Sequence, residues 1–125
     1  MRGMKTILFA LAAMVSAERL TADTDLVRTF ASCTGRLSAQ MEHQWLMRDP
    51  GSDQTETRRK AMISLLEAIM DPSDGPTVLS WRIDAKLAQS QLLTRATFNR
   101  DVADANWALK RANIEIATCN GLLLS

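Results

Sequence analysis

The chain has few of the residues that most often carry out catalysis or bind cofactors. It contains one histidine, two cysteines and no tyrosine, and aromatic residues make up 5% of its 125 residues. It has no phosphate-binding loop, dinucleotide-binding fingerprint or zinc-ligand spacing. Without Cys-x-x-Cys-His it has no site for a covalent c-type haem, and one histidine does not supply the two Glu-x-x-His pairs of a di-iron bundle. We therefore expect a protein that is not an enzyme and carries no cofactor.

The chain also has no hydrophobic run of the roughly 20 residues that cross a bilayer. Residues 1–17 instead resemble an export signal. Arg2 and Lys5 precede an apolar run of about ten residues, and Val15 and Ala17 are small residues at the −3 and −1 positions of a cleavage site. The sequence therefore predicts a cleaved signal peptide at residues 1–17 and one domain at residues 18–125. We expect that domain in the periplasm or outside the cell, without a membrane span.

An excess of basic charge is absent as well. The chain has 15 basic and 14 acidic residues, and removal of Arg2 and Lys5 with the signal leaves 13 against 14, a net charge of −1. Proteins that bind nucleic acids or anionic membranes in general carry a basic excess. The composition therefore argues against a nucleic-acid partner.

Cys33 and Cys119 form an even pair in a chain that we expect to be exported. Oxidising compartments favour disulfide formation, and the absence of Cys-x-x-Cys argues for a structural role over a redox-active one. The bridge would close a loop of about 87 residues, worth on the order of 4–5 kcal/mol if it constrains the unfolded chain. The sequence predicts a disulfide between Cys33 and Cys119.

Proline, glycine and small polar residues interrupt the mature chain at residues 49–52, 71–76 and 97–101. The four segments between these breaks, roughly 22–48, 54–70, 76–97 and 101–119, all have helical periodicity, and none alternates with a period of two. We expect an all-α fold in which these helices form an antiparallel up-down-up-down bundle. The expected capping residues are Thr21 or Asp23, Asp53 with Glu56, Pro76, Asn99 or Asp101, and Asn120 with Gly121.

Each segment has one apolar stripe that we expect to face the core. The stripes consist of Leu26, Phe30, Cys33, Leu37 and Met41; Ala61, Met62, Leu65, Leu66 and Ile69; Val78, Trp81, Ala85, Ala88, Leu92 and Ala96; and Val102, Ala105, Leu109, Ala112, Ile116 and Cys119. Leu122, Leu123 and Leu124 are expected to fold back over the end of the bundle near Cys119.

Helices three and four carry a second apolar stripe, on the side opposite the first, and helix one ends in three large apolar residues. Such an excess marks either an interaction surface or an irregular bundle in which loops or the C-terminal leucines cover these residues. Tryptophan is enriched at binding hot spots, but the sequence does not decide between the two alternatives. The candidate interface residues are Leu79, Ile83, Leu87, Trp107, Ile114, Trp45, Leu46 and Met47.

These patterns favour a non-enzymatic periplasmic interaction protein, an adaptor, inhibitor or chaperone-like module. It would dock another periplasmic protein or a second copy of itself through helices three and four. The alternative is a helical bundle that binds a small apolar ligand, or copper at His43 and Met47. These two residues are adjacent on a helix surface and combine the imidazole and thioether ligands that copper(I) accepts.

Overall fold

The computed structural model describes the backbone of residues 5–124 and the side chains of residues 24–124. The helices are α1 (Lys5–Leu46), α2 (Ser52–Ile69), α3 (Gly75–Phe98) and α4 (Val102–Leu124), with a short 3-10 helix at Pro72–Asp74. Residues 5–124 contain no strand, so the predicted all-α class is confirmed. None of the helices in this part of the chain has an 18-residue stretch hydrophobic enough to cross a bilayer.

Two predicted helix starts are confirmed. Pro76 lies in the first turn of α3, where its missing N–H costs no hydrogen bond. Asp101 precedes α4, and its carboxylate accepts hydrogen bonds from the backbone N–H groups of Ala103 (3.1 Å) and Asp104 (3.2 Å). These bonds satisfy two of the four N–H groups that a helix start leaves unpaired.

Other predicted helix ends are wrong. α1 begins at Lys5, so Thr21 and Asp23 lie inside the helix, and the predicted signal peptide at residues 1–17 lies outside the residues with described side chains. α2 begins at Ser52 after Gly51, with no side-chain cap, so the predicted pairing of Asp53 with Glu56 does not start it.

The predicted stop at Gly121 is also wrong, because α4 continues to Leu124. Leu122 and Leu123 pack against the buried cluster around the disulfide, and this packing holds the last turn in the helix. The expected cover over the Cys119 end is therefore supplied by a longer helix, while Leu124 remains 87% exposed.

α1 is the central helix of the fold. It packs against α2, α3 and α4, most extensively against α3, whereas the Cα atoms of α2 and α3 stay more than 8 Å apart. Because three helices cover α1, its middle part is buried on nearly every side. The buried residues of this stretch are Ala31, Cys33, Thr34, Gly35, Leu37, Ser38, Ala39 and Met41.

The close packing of α1 on α3 depends on Gly35. A Cβ atom at this position would overlap the carbonyl oxygen of Arg82 and lie 3.0 Å from both the carbonyl carbon of Arg82 and the backbone nitrogen of Lys86. These three atoms belong to the backbone of α3, which has little freedom to move aside. Only glycine therefore permits the two helices to approach this closely.

The core consists of two clusters. One contains Val27, Ala31, Leu66 and Val78. The other contains Cys33, Leu37, Met62 and Cys119. The predicted disulfide is confirmed: it joins Cys33 to Cys119 across α1 and α4, with Cα atoms 5.4 Å apart.

Several residues of the predicted core stripes are exposed. Because α2 and α4 are outer helices, their buried faces are narrow and fall on Met62 and Leu66 in α2 and on Ala108, Ala112 and Cys119 in α4. The apolar residues beside these faces are left in solvent. In α2 and α4 the exposed members of the predicted stripes are Ala61, Leu65, Ile69, Val102 and Leu109, and in α1 Leu26 is exposed as well.

Candidate functional site

The eight candidate interface residues are all exposed on the monomer. Their exposed fractions range from 46% for Ile114 to 67% for Leu46, so neither a loop nor the C-terminal leucines cover them. Exposed apolar residues occur singly on most proteins, and they indicate a binding surface only where they lie together. Their neighbours therefore decide which of them belong to one site.

Leu79 and Ile83 lie together on the edge of a groove. The groove, with a volume of about 240 Å³, lies between α2 and α3, and α1 forms its floor with Ser38 and Met41. Arg59 of α2 lines the same groove. It exists because the backbones of α2 and α3 remain separated while both helices contact α1. We call it the α2–α3 groove.

The basic side chains of the α2–α3 groove are only partly neutralised. Glu42 and Lys86, which both line it, form an ion pair of 2.7 Å. Arg59 donates a hydrogen bond from Nε to the hydroxyl of Ser38 (2.7 Å), and that hydroxyl donates in turn to a carbonyl of α1. Among residues 24–124, no carboxylate lies within 4.0 Å of the guanidinium groups of Arg59 or Arg82. The groove thus combines two unneutralised cations with an apolar edge.

Leu87 and Trp107 belong to a different surface. Leu87 lines a shallow depression with Arg95, and the Arg95 guanidinium lies 5.1 Å from the centre of the Trp107 ring, a cation–π distance. Arg95 also forms an ion pair of 2.6 Å with Asp104, which accepts a further hydrogen bond from Asn99 (2.6 Å).

This ion pair shifts the ionisation of both partners. The hydrogen bond from Arg95 holds the pKa of the Asp104 carboxyl below its ordinary value, and the bond to Asp104 raises the pKa of Arg95. The pair links the end of α3 to the start of α4 and fixes the cation beside Trp107. The arginines of the α2–α3 groove have no such acidic partner among the side chains of residues 24–124.

Ile114 lies apart from both surfaces, whereas the depression at the end of α1 shares Glu42 with the α2–α3 groove and Ser90 with the Leu87 depression. Ile114 lines a shallow depression formed by α4 alone, with Leu109 and Asn106. Leu46 lines another depression between α1 and α3, together with Leu93 and Ser90. The predicted interface is therefore not one continuous patch. Leu79 and Ile83 are the two members that share a groove with charged side chains from other helices.

His43, the predicted copper ligand, lies near the C-terminal end of α1 and is partly buried. Its Nε2 atom lies 3.1 Å from the hydroxyl of Thr97 in α3, a hydrogen-bond distance. Met47 follows the end of α1 and is 48% exposed. Within residues 24–124, no group of three or more histidine, cysteine, aspartate or glutamate side chains is arranged to hold a metal ion.

The sequence did not reveal a buried polar network centred on Gln89. Gln89 is 0% exposed; its amide nitrogen donates to the carbonyl of Ala112 (3.2 Å), and its oxygen accepts from Arg36 (2.9 Å). Arg36 also lies 3.6 Å from Glu115 of α4. The available signal was spacing, since Gln89 lies four residues after Ala85, which belongs to the stripe predicted to face the core. The network joins α1, α3 and α4 and contributes to specific packing more than to an open site.

Comparison of the chain with known proteins found no matching family model, no matching curated protein and no matching solved structure. No function therefore transfers to the chain by similarity.

Proposed function

We propose that this protein is a non-enzymatic interaction module, an adaptor, inhibitor or chaperone-like protein, that docks a protein partner through the exposed apolar faces of α3 and α4. The observation that carries the proposal is the position of Leu79 and Ile83, which are 54% and 49% exposed at the edge of the α2–α3 groove. The partner is another periplasmic protein or a second copy of the chain.

The proposal includes export. Residues 1–17 act as a cleaved signal peptide, and residues 18–125 form one domain in the periplasm or outside the cell. The Cys33–Cys119 disulfide is compatible with this location because oxidising compartments maintain such bonds. The near-neutral net charge remains the reason to expect a protein partner and not a nucleic acid.

The proposed topology is the up-down-up-down bundle. Contacts between α1 and α4 support opposite directions, since Cys33 pairs with Cys119 and Arg36 with Glu115. Contacts between α1 and α3 support a common direction: Gly35 is packed against Arg82, whereas His43 lies beside Thr97, further along both helices. In this arrangement α1 and α3 are the diagonal pair of the bundle. Because they pack directly on each other, the backbones of α2 and α3 stay apart.

The energetics favour a modest, reversible contact. Full burial of a leucine or isoleucine side chain contributes about 1.5–3 kcal/mol. Leu79 and Ile83 are each about half exposed, so a partner that covers them gains about 1 kcal/mol from each. Association entropy offsets part of this gain, which points to micromolar affinity unless charged groups add to it.

The test is the variant Ile83→Asp in the secreted protein. Because Ile83 is half exposed, the variant should keep its helical circular dichroism spectrum and lose either self-association, measured by light scattering, or capture of the periplasmic partner. Leu65→Asp is the matched control, since it introduces the same charge in α2. Leu65 is 38% exposed and does not line the groove.

The proposal predicts that Leu65→Asp behaves like the wild-type protein in both assays. If Ile83→Asp remains folded and retains every association of the wild-type protein, docking through this face is wrong. If Ile83→Asp unfolds, Ile83 belongs to the core, and docking through this face is again wrong.

A further inference from the structure

We infer that the α2–α3 groove binds an acidic amphipathic helix of a partner protein, whose apolar side covers Leu79 and Ile83 and whose carboxylates pair with Arg59 and Arg82. This inference rests on the proposed function and specifies the chemistry of the partner.

Charge complementarity identifies the acidic character of the partner. Two of the three basic residues that line the groove, Arg59 and Arg82, have no carboxylate within 4.0 Å in the part of the chain with described side chains, whereas Lys86 is paired with Glu42. Arginine presents a planar set of donors that suits a carboxylate, and ionic hydrogen bonds are about twice as strong as neutral ones. A partner carboxylate therefore gains the most binding free energy at Arg59 and Arg82.

The geometry of Arg59 supports this role. Its Nε atom is held by the Ser38 hydroxyl at 2.7 Å, and Ser38 is itself fixed by a hydrogen bond of 2.9 Å to the carbonyl of Thr34. One donor thus anchors the guanidinium over α1, while its remaining N–H groups stay available for a ligand. A fixed arginine loses little conformational entropy when it binds an anion.

A helix is the secondary structure that fits the groove. Addition of a β-strand requires an exposed sheet edge, and residues 5–124 contain no strand. A helix satisfies its own backbone hydrogen bonds and needs only an apolar seat. Leu79 and Ile83 are one turn apart and provide such a seat, while α1 forms the floor beneath. The docked helix would lie along the mouth of the groove and insert its apolar side chains beside Leu79 and Ile83, since a volume of about 240 Å³ has room for side chains but not for a helix backbone.

The probe is a synthetic 14-residue helical peptide with leucines at positions i, i+3, i+4 and i+7 and glutamates on both flanks. The protein is the purified full domain with its disulfide intact, and binding is measured by fluorescence anisotropy of the labelled peptide. Two control peptides accompany it: one has lysine in place of each glutamate, and the other has the same composition in an order that destroys the apolar face. Vesicles of phosphatidylglycerol test an anionic membrane as the alternative ligand.

The decisive variant is Arg82→Glu, and its matched control is Arg100→Glu, which makes the same charge change at an exposed position in the connection between α3 and α4. We expect the acidic peptide to bind with a Kd on the order of 10 µM. Arg82→Glu should weaken binding at least tenfold, and Arg100→Glu should change it less than twofold. The double variant Arg59→Glu/Arg82→Glu should abolish binding, with circular dichroism confirming that each variant is folded.

Three results would overturn the inference: equal binding of the acidic and lysine peptides, equal effects of Arg82→Glu and Arg100→Glu, or binding to the vesicles but not to the acidic peptide. If Arg82→Glu does not fold, Arg82→Gln replaces it with the same expected direction.

Failure of this inference is distinguishable from failure of the proposed function. If Ile83→Asp abolishes binding of a natural partner but Arg59→Glu/Arg82→Glu does not, the protein is an interaction module whose partner does not dock as an acidic helix. A partner retained with Ile83→Asp would refute the docking face itself.

Discussion

Substitution of Gly35 by alanine tests the packing from which the groove arises. Alanine favours a helix over glycine by about 1 kcal/mol, so at an open helical position this substitution stabilises a protein. At Gly35 the added methyl group would overlap the carbonyl oxygen of Arg82 and lie 3.0 Å from two further backbone atoms of α3. Favourable contacts between heavy atoms lie at about 3.5–4.0 Å. The two helices must therefore separate, which loosens the most extensive contact in the fold.

The magnitude follows from the balance of two effects. Overpacking typically costs about 1–3 kcal/mol. We expect the upper end of this range, because the atoms that the methyl group meets belong to the backbone of α3 and cannot move aside as a flexible side chain can. After subtraction of about 1 kcal/mol for helix propensity, Gly35→Ala should lower the free energy of unfolding by about 2 kcal/mol. For a domain of this size, that corresponds to a decrease in Tm of roughly 9 °C.

Gly121 provides the matched control for this prediction. It also lies inside a helix, but among residues 24–124 no heavy atom apart from its chain neighbours and the nearby backbone of α4 lies within 4 Å of a Cβ added there. Gly121→Ala should therefore raise the free energy of unfolding by about 0.5 kcal/mol, less than in a helix centre because the end of α4 is near.

Urea unfolding, followed by circular dichroism with the disulfide intact, measures both free energies. We expect the free energy of unfolding to decrease with Gly35→Ala and to increase with Gly121→Ala. If Gly35→Ala is as stable as the wild-type protein, or more stable, then α1 and α3 do not approach each other as described, and the groove loses its structural basis.

Three further predictions concern the helix ends and the crosslink. Cys119→Ser should lower the free energy of unfolding by about 2–5 kcal/mol through loss of the bridge to Cys33, and thiol alkylation of the wild-type protein without reductant should label no cysteine; two labelled cysteines would contradict the bridge. Asp101→Ala should lower the free energy of unfolding by about 1 kcal/mol, because it removes both cap hydrogen bonds, and unfolding by urea measures this; an unchanged midpoint would contradict the cap. Because Arg95 lowers the pKa of Asp104 in the folded state, the stability from this pair is fully present above the unfolded pKa of about 3.9 and is lost as the pH falls through the lower, folded pKa. The carboxyl resonance of Asp104 should titrate below the range of an unperturbed aspartate, and a midpoint within or above that range would contradict the ion pair.

The sequence alone was sufficient for the number of helices and for the disulfide. Proline and glycine at residues 50–51 and 72–76 separate the first three helices, and helical periodicity is a local property that needs no knowledge of neighbours. The exposed ridge of Leu79 and Ile83 was also visible, because a four-residue repeat opposite the main stripe marks a second apolar face. The two cysteines allowed only one intramolecular pairing.

Only the tertiary structure decided which helix lies at the centre and where the groove forms. The sequence does not distinguish Gly35 from a glycine at an open helical position, yet the structure places Gly35 against the backbone of α3. Gln89 is buried where α1 and α4 supply its hydrogen-bond partners, and Arg82 lines the groove with no carboxylate of residues 24–124 within 4.0 Å. Periodicity fixes the direction of a side chain within its own helix. The atoms that this side chain contacts depend on how two helices pack, and the residues that determine this packing are far apart in the chain. The sequence of a single helix does not predict it.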